Sequence, residues 1–269
     1  MANQTSSIKS PIIKRWQTWY TFVAFLYMYL PIAVLTIFSF NESPSPSQWT
    51  GFTWSWYAKF LQNPTLLAAL WNSLSVAFTA VSVSAVLGTL TAVGLAKYYF
   101  PAKKIYRGAT YLPLIIPDIA IAVATLVFFA AIKLPLSLGT IVIAHIVFCL
   151  AYVSVVVSSR LANIDPKLEE AALDLGATPI QAFMRVMLPQ LLPGIVSGCL
   201  LAFVLSMDDF VIAYFTAGVG ATTLPIAIFS SLRSGGVTPE LNALSVLLII
   251  ASASIAAIAE AVRSWGNRN

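Results

Sequence analysis

Residues 160–189 read RLANIDPKLEEAALDLGATPIQAFMRVMLP, and they sit between two long apolar runs. The stretch spells out two short helices with their stops. Asp165 suits a helix N-cap, and Pro166 fits the first helical position, where its missing N–H costs nothing. Leu168, Ala171, Ala172 and Leu175 then recur at i, i+3, i+4 and i+7, which makes one apolar face. Glu169, Glu170 and Asp174 fall off that face. Gly176 suits the left-handed C-terminal stop. Thr178, Pro179 and Gln181 form a T-x-x-Q capping box around a second helix start, and Pro189 marks the beginning of the next apolar run. A helix lying on lipid would carry Lys and Arg on its polar face. This one is acidic, with small residues that permit close approach, so the pattern predicts a docking surface for a protein.

Outward from this loop the chain is apolar. Of its 269 residues 59% are hydrophobic and only 9% charged, with a mean hydropathy of +0.85. A soluble domain carries about 25% charged residues, so the expected solvent is a bilayer. Charge-free or nearly charge-free runs predict an all-α membrane protein with six transmembrane helices, at about 18–40, 68–96, 110–131, 138–159, 190–215 and 240–262, in a single domain over 1–269. The loop 160–189 then joins helices four and five. Six crossings place 12 of the 15 Lys and Arg on the side of both termini and 3 (Lys59, Lys133 and Arg233) on the other. By the positive-inside rule both termini are cytoplasmic. The first run is too long for a cleaved signal peptide and lacks a small-x-small site after it, so it is read as a retained helix.

The net charge of +5 does not indicate nucleic acid, because the bases lie in short clusters between spans. Cys149 and Cys199 are too few for a disulfide framework or a zinc site and are read as packing residues. The first external loop, 41–67, is aromatic (Trp49, Phe52, Trp54, Trp56 and Tyr57) and suits an interfacial anchor. Ser84 with Gly88, and Gly194 with Gly198, have the spacing of close helix contacts.

Three carboxylates, Asp118, Asp208 and Asp209, fall within the expected spans. Each costs about 2.5–3.5 kcal/mol at the bilayer centre on insertion scales. Either they line a water-filled path for a cation, or they cap broken helices and bond neighbouring ones. Counting rise per residue puts Asp118 about 15 Å deep, near the middle, and Asp208 about 27 Å from the cytoplasmic face. Pro113 and Pro117 are expected to break helix three before Asp118, freeing carbonyls that also suit cations. His145 reads as a packed or hydrogen-bonding group. Tyr152, Phe203, Phe210 and Tyr214 are gates or ordinary packing. No catalytic motif is present. His145 has no acidic neighbour at helical spacing, and Asp208 and Asp209 are adjacent and cannot face each other across a cleft, so an intramembrane protease is disfavoured. An uncoupled secondary transporter or channel is disfavoured by the loop 160–189 and by the lack of internal repeats.

The run Glu170-Ala171-Ala172, three residues, Gly176, nine residues, Val186-x-Leu188-Pro189 resembles the EAA loop of bacterial ABC-importer membrane subunits, with Val186 in place of Ile. Further stretches resemble the polyamine permeases, the inner-membrane subunits for putrescine and spermidine: SFNES (39–43), IPDIAIAVATL (116–126), AHIVFCLAYVSVVVSSRL (144–161), LLAFVLSMDDFVIAYF (200–215), GATTLPIAIFSSLR (220–233) and GVTPELNAL (236–244). The GATTLP and FSS segments look more like the putrescine version. The resemblance implies the binding-protein-dependent type I importer fold, in the bacterial inner membrane. It implies that Glu169, Glu170, Ala171, Ala172, Asp174 and Gly176 couple to a cytoplasmic ATPase. The implied partners are a second homologous permease, two ATPase copies, a periplasmic binding protein and membrane lipid. ATP and Mg would be used by the ATPase, with no cofactor or metal on this chain. The cargo would be a polyamine, putrescine before spermidine, moved along Asp118, Asp208 and Asp209.

Overall fold

The computed structural model describes residues 11–44 and 48–266. Lys9 and Arg268, both used in the charge count, lie outside the described residues, as do the side chains of Lys14, Arg15 and Arg263. The chain is nearly all helical and divides into two compact units, Met1–Phe60 with Val237–Leu247, and Leu61–Gly236 with Leu248–Asn269. Among the described residues five helices are long and apolar enough to cross a membrane, and a bent pair makes a sixth span when counted as one.

In the first unit, α1 (Pro11–Phe38) is long and apolar enough to cross a membrane over Trp16–Phe38, with Trp19, Phe22 and Tyr27 on its surface. The aromatic loop after it is ordered by Asn41. Its carbonyl accepts from Trp56 Nε1 at 2.7 Å, and its carboxamide bonds Gln48 O and Thr50 N at 2.8 and 3.0 Å. Phe40 stacks on Phe52 and meets Trp54 and Tyr57. Trp56, on the short α2 (Ser55–Phe60), is buried, whereas Trp49, Phe52 and Trp54 stay exposed, so part of the expected anchor is the loop's own core.

The second unit is built on α3 (Pro64–Lys97), α6 (Leu138–Leu161) and α9 (Leu188–Asp208). Asn63 caps α3, its Oδ1 accepting from Thr65 N and Leu66 N. Small residues bring these helices together. A Cβ on Gly88 would stand 2.9 Å from Val153 Cγ1 and 3.1 Å from Leu150 O, and one on Gly194 would stand 2.8 Å from Arg160 Cβ. Ser84 Oγ reaches Ile146 O. Close packing of this kind carries the association where lipid removes the usual hydrophobic drive.

One expectation is refined and two are corrected. Helix three breaks before Asp118, where Pro113 and Pro117 were expected to break it, and it begins earlier than 110: α4 (Lys103–Tyr111), a short 3-10 turn (Leu112–Leu114) and α5 (Asp118–Ala131) are bent by 111°. Pro117 has no N–H to donate and disfavours helical geometry at Ile116, which ends the first piece there. Helix five does not run to 215. It stops at Asp208, and α10 (Val211–Thr216) follows as a separate half-helix. A further helix, α11 (Leu224–Gly235), lies before α12 (Pro239–Gly266) where no element was expected. Ser73 on α3 caps its start, with Oγ accepting from Leu224 N at 2.8 Å.

Candidate functional site

In the loop 160–189 the written stops are present. Asp165 Oδ1 accepts from Lys167 N at 3.0 Å at the head of α7 (Lys167–Asp174). Gly176 has φ +87, Ala177 N bonds Ala172 O and Gly176 N bonds Leu173 O, which is the Schellman pattern. Thr178 and Gln181 cap each other, with Gln181 N to Thr178 Oγ1 at 3.3 Å and Thr178 N to Gln181 Oε1 at 3.0 Å. The second helix differs from expectation. α8 (Pro179–Ala182) passes through a π-turn (Phe183–Met187) straight into α9, giving one apolar helix over Pro179–Asp208. Pro189 removes the bond its N–H would make to Arg185 O, and the wider turn before it, with Leu188 N on Phe183 O, absorbs that loss.

No residue of α7 is buried. Leu168, Ala171 and Leu175 are exposed and Ala172 is half-buried. The apolar face found in the sequence is therefore uncovered in this chain. Glu170 and Asp174 make no hydrogen bond or ion pair among the described residues. Glu169 differs: its carboxylate pairs with Lys97 at the end of α3, tying α7 to a core helix. Glu169 thus faces its own chain, a link that no local spacing reveals across 72 residues.

The three aspartates meet in one cavity of about 280 Å³, also lined by Pro113, Phe148, Tyr152 and Phe210. The depth ladder read from the sequence assumed straight helices. With α5 starting at Asp118 and α9 ending at Asp208, the two helix breaks converge and bring the carboxylates together. Their roles separate. Asp118 and Asp208 are exposed and make no hydrogen bond or ion pair among the described residues. Asp209 is held. Its Oδ1 and Oδ2 accept from Ile212 N (3.3 Å) and Ala213 N (2.8 Å), capping α10, and Oδ2 lies 3.2 Å from His145 Nε2. His145 on α6 is 1% exposed, and its Nδ1 sits 2.8 Å from Ser206 Oγ. Nε2 lies beside the carboxylate but outside hydrogen-bond geometry, while Nδ1 and the Ser206 hydroxyl share a hydrogen bond. The capping alternative therefore applies to Asp209. An N-cap rule applied at Asp209 finds that signal in the sequence. The His145 contact is tertiary and has none.

Of the four aromatics considered as gates, Tyr152 and Phe210 line the cavity. The Tyr214 ring meets Phe210 at a 35° tilt with centres 5.3 Å apart, and Phe203 packs on the core. Among the described residues no group of three or more His, Cys, Asp or Glu is placed to hold a metal.

Helix breaks that gather carboxylates inside an apolar helix bundle, in a chain that also carries an uncovered helix between two spans, suit a transport protein. A family model described as the inner-membrane component of binding-protein-dependent transport systems matches residues 84–268, and the chain belongs to that family. It is a multi-pass component of a transport system and not an enzyme. Within the family, it is 41% identical over 254 residues to the putrescine transport system permease protein PotI of Escherichia coli K12, covering 92% of this chain and 89% of the relative. It is 38% identical over 248 residues to the spermidine/putrescine transport system permease protein PotC of Haemophilus influenzae, covering 92% and 96%. The fold is that of solved importers. A bacterial ABC transporter for the acidic polysaccharide alginate aligns over 96% of both chains with TM-score 0.68 at 17% identity. An inward-facing methionine ABC transporter aligns over 75% of this chain and 95% of its own with TM-score 0.58 at 23% identity.

Proposed function

We propose that this chain is a permease subunit of an ATP-driven importer that carries a polyamine, putrescine first and spermidine second, from periplasm to cytoplasm. The observation that carries the cargo class is the pair of unpaired carboxylates, Asp118 and Asp208, in a cavity walled by Tyr152, Phe148 and Phe210. Two ammonium groups stripped of water need two fixed negative charges and gain from aromatic faces. The names of the two relatives described above point to the same cargo. Asp209 serves this site as the cap that ends one half-helix and begins the next.

In this reading a periplasmic binding protein delivers the amine, a second homologous permease completes the path, and two ATPase copies consume ATP and Mg in the cytoplasm. The uncovered face of α7, with Glu170, Ala171, Ala172, Asp174 and Gly176, docks on the ATPase, and Glu169 relays its movement to α3 through Lys97. Both termini are cytoplasmic, which the 12-to-3 distribution of Lys and Arg supports. Uptake of labelled putrescine by the assembled transporter tests the reading. Gly176→Trp should abolish uptake while the chain remains in the membrane. Asp118→Asn and Asp208→Asn should each lower uptake without loss of assembly. Wild-type uptake in all three variants would overturn it.

A further inference from the structure

The acidic helix α7 is a poor match for a lipid surface, but α4 has the opposite character. Residues 98–117 read YYFPAKKIYRGATYLPLIIP and contain Lys103, Lys104 and Arg107 with no Asp or Glu. None of the residues of α4 is buried. Its elbow presents Tyr98, Tyr99 and Ile105 to the surface, 64%, 96% and 74% exposed. Lys103 Nζ donates to Tyr98 O at 2.8 Å and lies 4.7 Å from the Tyr99 ring centre, so cation and aromatic share one face. The helix is also in the right place. Tyr106 Oη meets Thr91 Oγ1 at 3.2 Å, and Tyr111 Oη meets Ser158 Oγ at 3.5 Å. These contacts hold α4 beside the last turns of α3 and α6, at the end of α6 from which the loop 160–189 departs. The 111° bend to α5 turns α4 toward the membrane plane when α5 crosses it. Basic residues among aromatics, on an amphipathic helix at the membrane boundary, is the composition that binds anionic lipid.

We propose that the elbow Tyr98–Tyr111 docks on the anionic phospholipid headgroups of the leaflet at the 160–189 end. Lys104 and Arg107 meet the headgroup phosphates, and Tyr99 and Ile105 enter the boundary between headgroups and acyl chains. The open hollow of about 880 Å³ between Tyr99 and Arg107 receives the headgroups. The elbow thereby gives the α4–α5 break, and with it Asp118, a fixed support at the membrane surface.

The test uses the assembled transport complex in nanodiscs, with photoactivatable phosphatidylglycerol in one sample and photoactivatable phosphatidylcholine in the other, and peptide mapping of the cross-links. The expected result is labelling of residues 98–111 that is several-fold stronger with phosphatidylglycerol and weakens with salt. Lys104→Gln with Arg107→Gln should lower the phosphatidylglycerol signal at least about fivefold, the factor for one interfacial charge, with phosphatidylcholine labelling unchanged. Lys59→Gln with Lys133→Gln, away from the elbow, should leave both signals unchanged. Equal labelling by the two lipids overturns the proposal. So does an undiminished signal in the elbow variant. If the elbow variant instead loses the ATPase subunits, the surface serves a protein partner and the proposal falls. For a variant that fails to accumulate, the salt dependence of the wild-type signal decides, and a salt-independent signal overturns the proposal.

Discussion

Asp208 and Asp209 are neighbours of identical chemistry, and their substitution should give opposite results. Asp209→Ala removes the acceptor for Ile212 N and Ala213 N at the head of α10. Loss of an N-cap of this kind costs about 1 kcal/mol. The same change strips the carboxylate from beside His145 Nε2, leaving a polar atom on a side chain only 1% exposed with nothing facing it. That contact already lies outside hydrogen-bond geometry, so its loss adds at most about 1 kcal/mol, for a total of about 1–2 kcal/mol. Asp209→Asn is milder. Its carboxamide oxygen can still cap, and its NH2 can donate to an unprotonated Nε2, so a cost of at most about 0.5 kcal/mol is expected. Asp208→Ala removes a carboxylate with no partner among the described residues and should change stability by less than about 0.5 kcal/mol.

Thermal unfolding of the purified transporter in detergent, paired with putrescine uptake in vesicles, separates the two. Asp209→Ala should lower the midpoint, and Asp209→Asn should recover most of it. Asp208→Ala should unfold like the wild type and yet transport poorly. If Asp208→Ala destabilises as much as Asp209→Ala, the division between free and capping carboxylate is wrong. A double change of His145→Leu with Asp209→Ala sharpens the point. The two residues face each other, so their costs should combine to less than their sum; simple additivity refutes the contact.

Gly88→Ala should cost about 1–3 kcal/mol through overpacking against Val153, whereas Gly94→Ala on the same helix meets nothing within 4 Å and should be neutral or stabilising by up to about 1 kcal/mol; thermal midpoints compare them. A Cβ on Gly218 would fall 1.9 Å from Leu136 O, so Gly218→Ala should cost about 3 kcal/mol and reduce the folded chain recovered after extraction. Gly176→Ala adds only left-handed strain of about 1–2 kcal/mol at an open site, so it should accumulate normally and transport better than Gly176→Trp. Lys97→Glu and Glu169→Lys should each reduce uptake per ATP hydrolysed, and the double reversal should restore it; the pair is half-buried, so each single reversal should also lower the thermal midpoint by the equivalent of about 1 kcal/mol, which the double reversal recovers.

What the sequence made legible follows from the range of the interactions involved. The cap at Asp165, the stop at Gly176 and the box at Thr178 and Gln181 are satisfied within six residues, so the spacing contains the whole interaction. The close approaches at Gly88 and Gly194 were legible for a related reason, since small residues four apart leave a groove whichever helix fills it. The acidic site was legible only in its membership. Asp118, Asp208 and Asp209 stood out because apolar surroundings make charge conspicuous, but their arrangement depended on two breaks. Counting 1.5 Å per residue separated Asp118 from Asp208 along the path, and that arithmetic holds only while the helix is continuous. Pro117 was visible as a breaker, yet a proline announces a break without its angle, and the contacts of Tyr106 and Tyr111 with α3 and α6 that accompany the 111° turn are tertiary. The break at Asp209 was hidden differently. The residue reads as a second intramembrane charge when it is the acceptor that makes a new helix start possible. In an apolar span a carboxylate is as apt to satisfy backbone donors as to meet cargo, and the number of N–H groups left unpaired within four residues after it decides between the two. By that measure Asp209 is bound to the chain, and Asp208, one residue earlier and still in the helix, is free for a ligand.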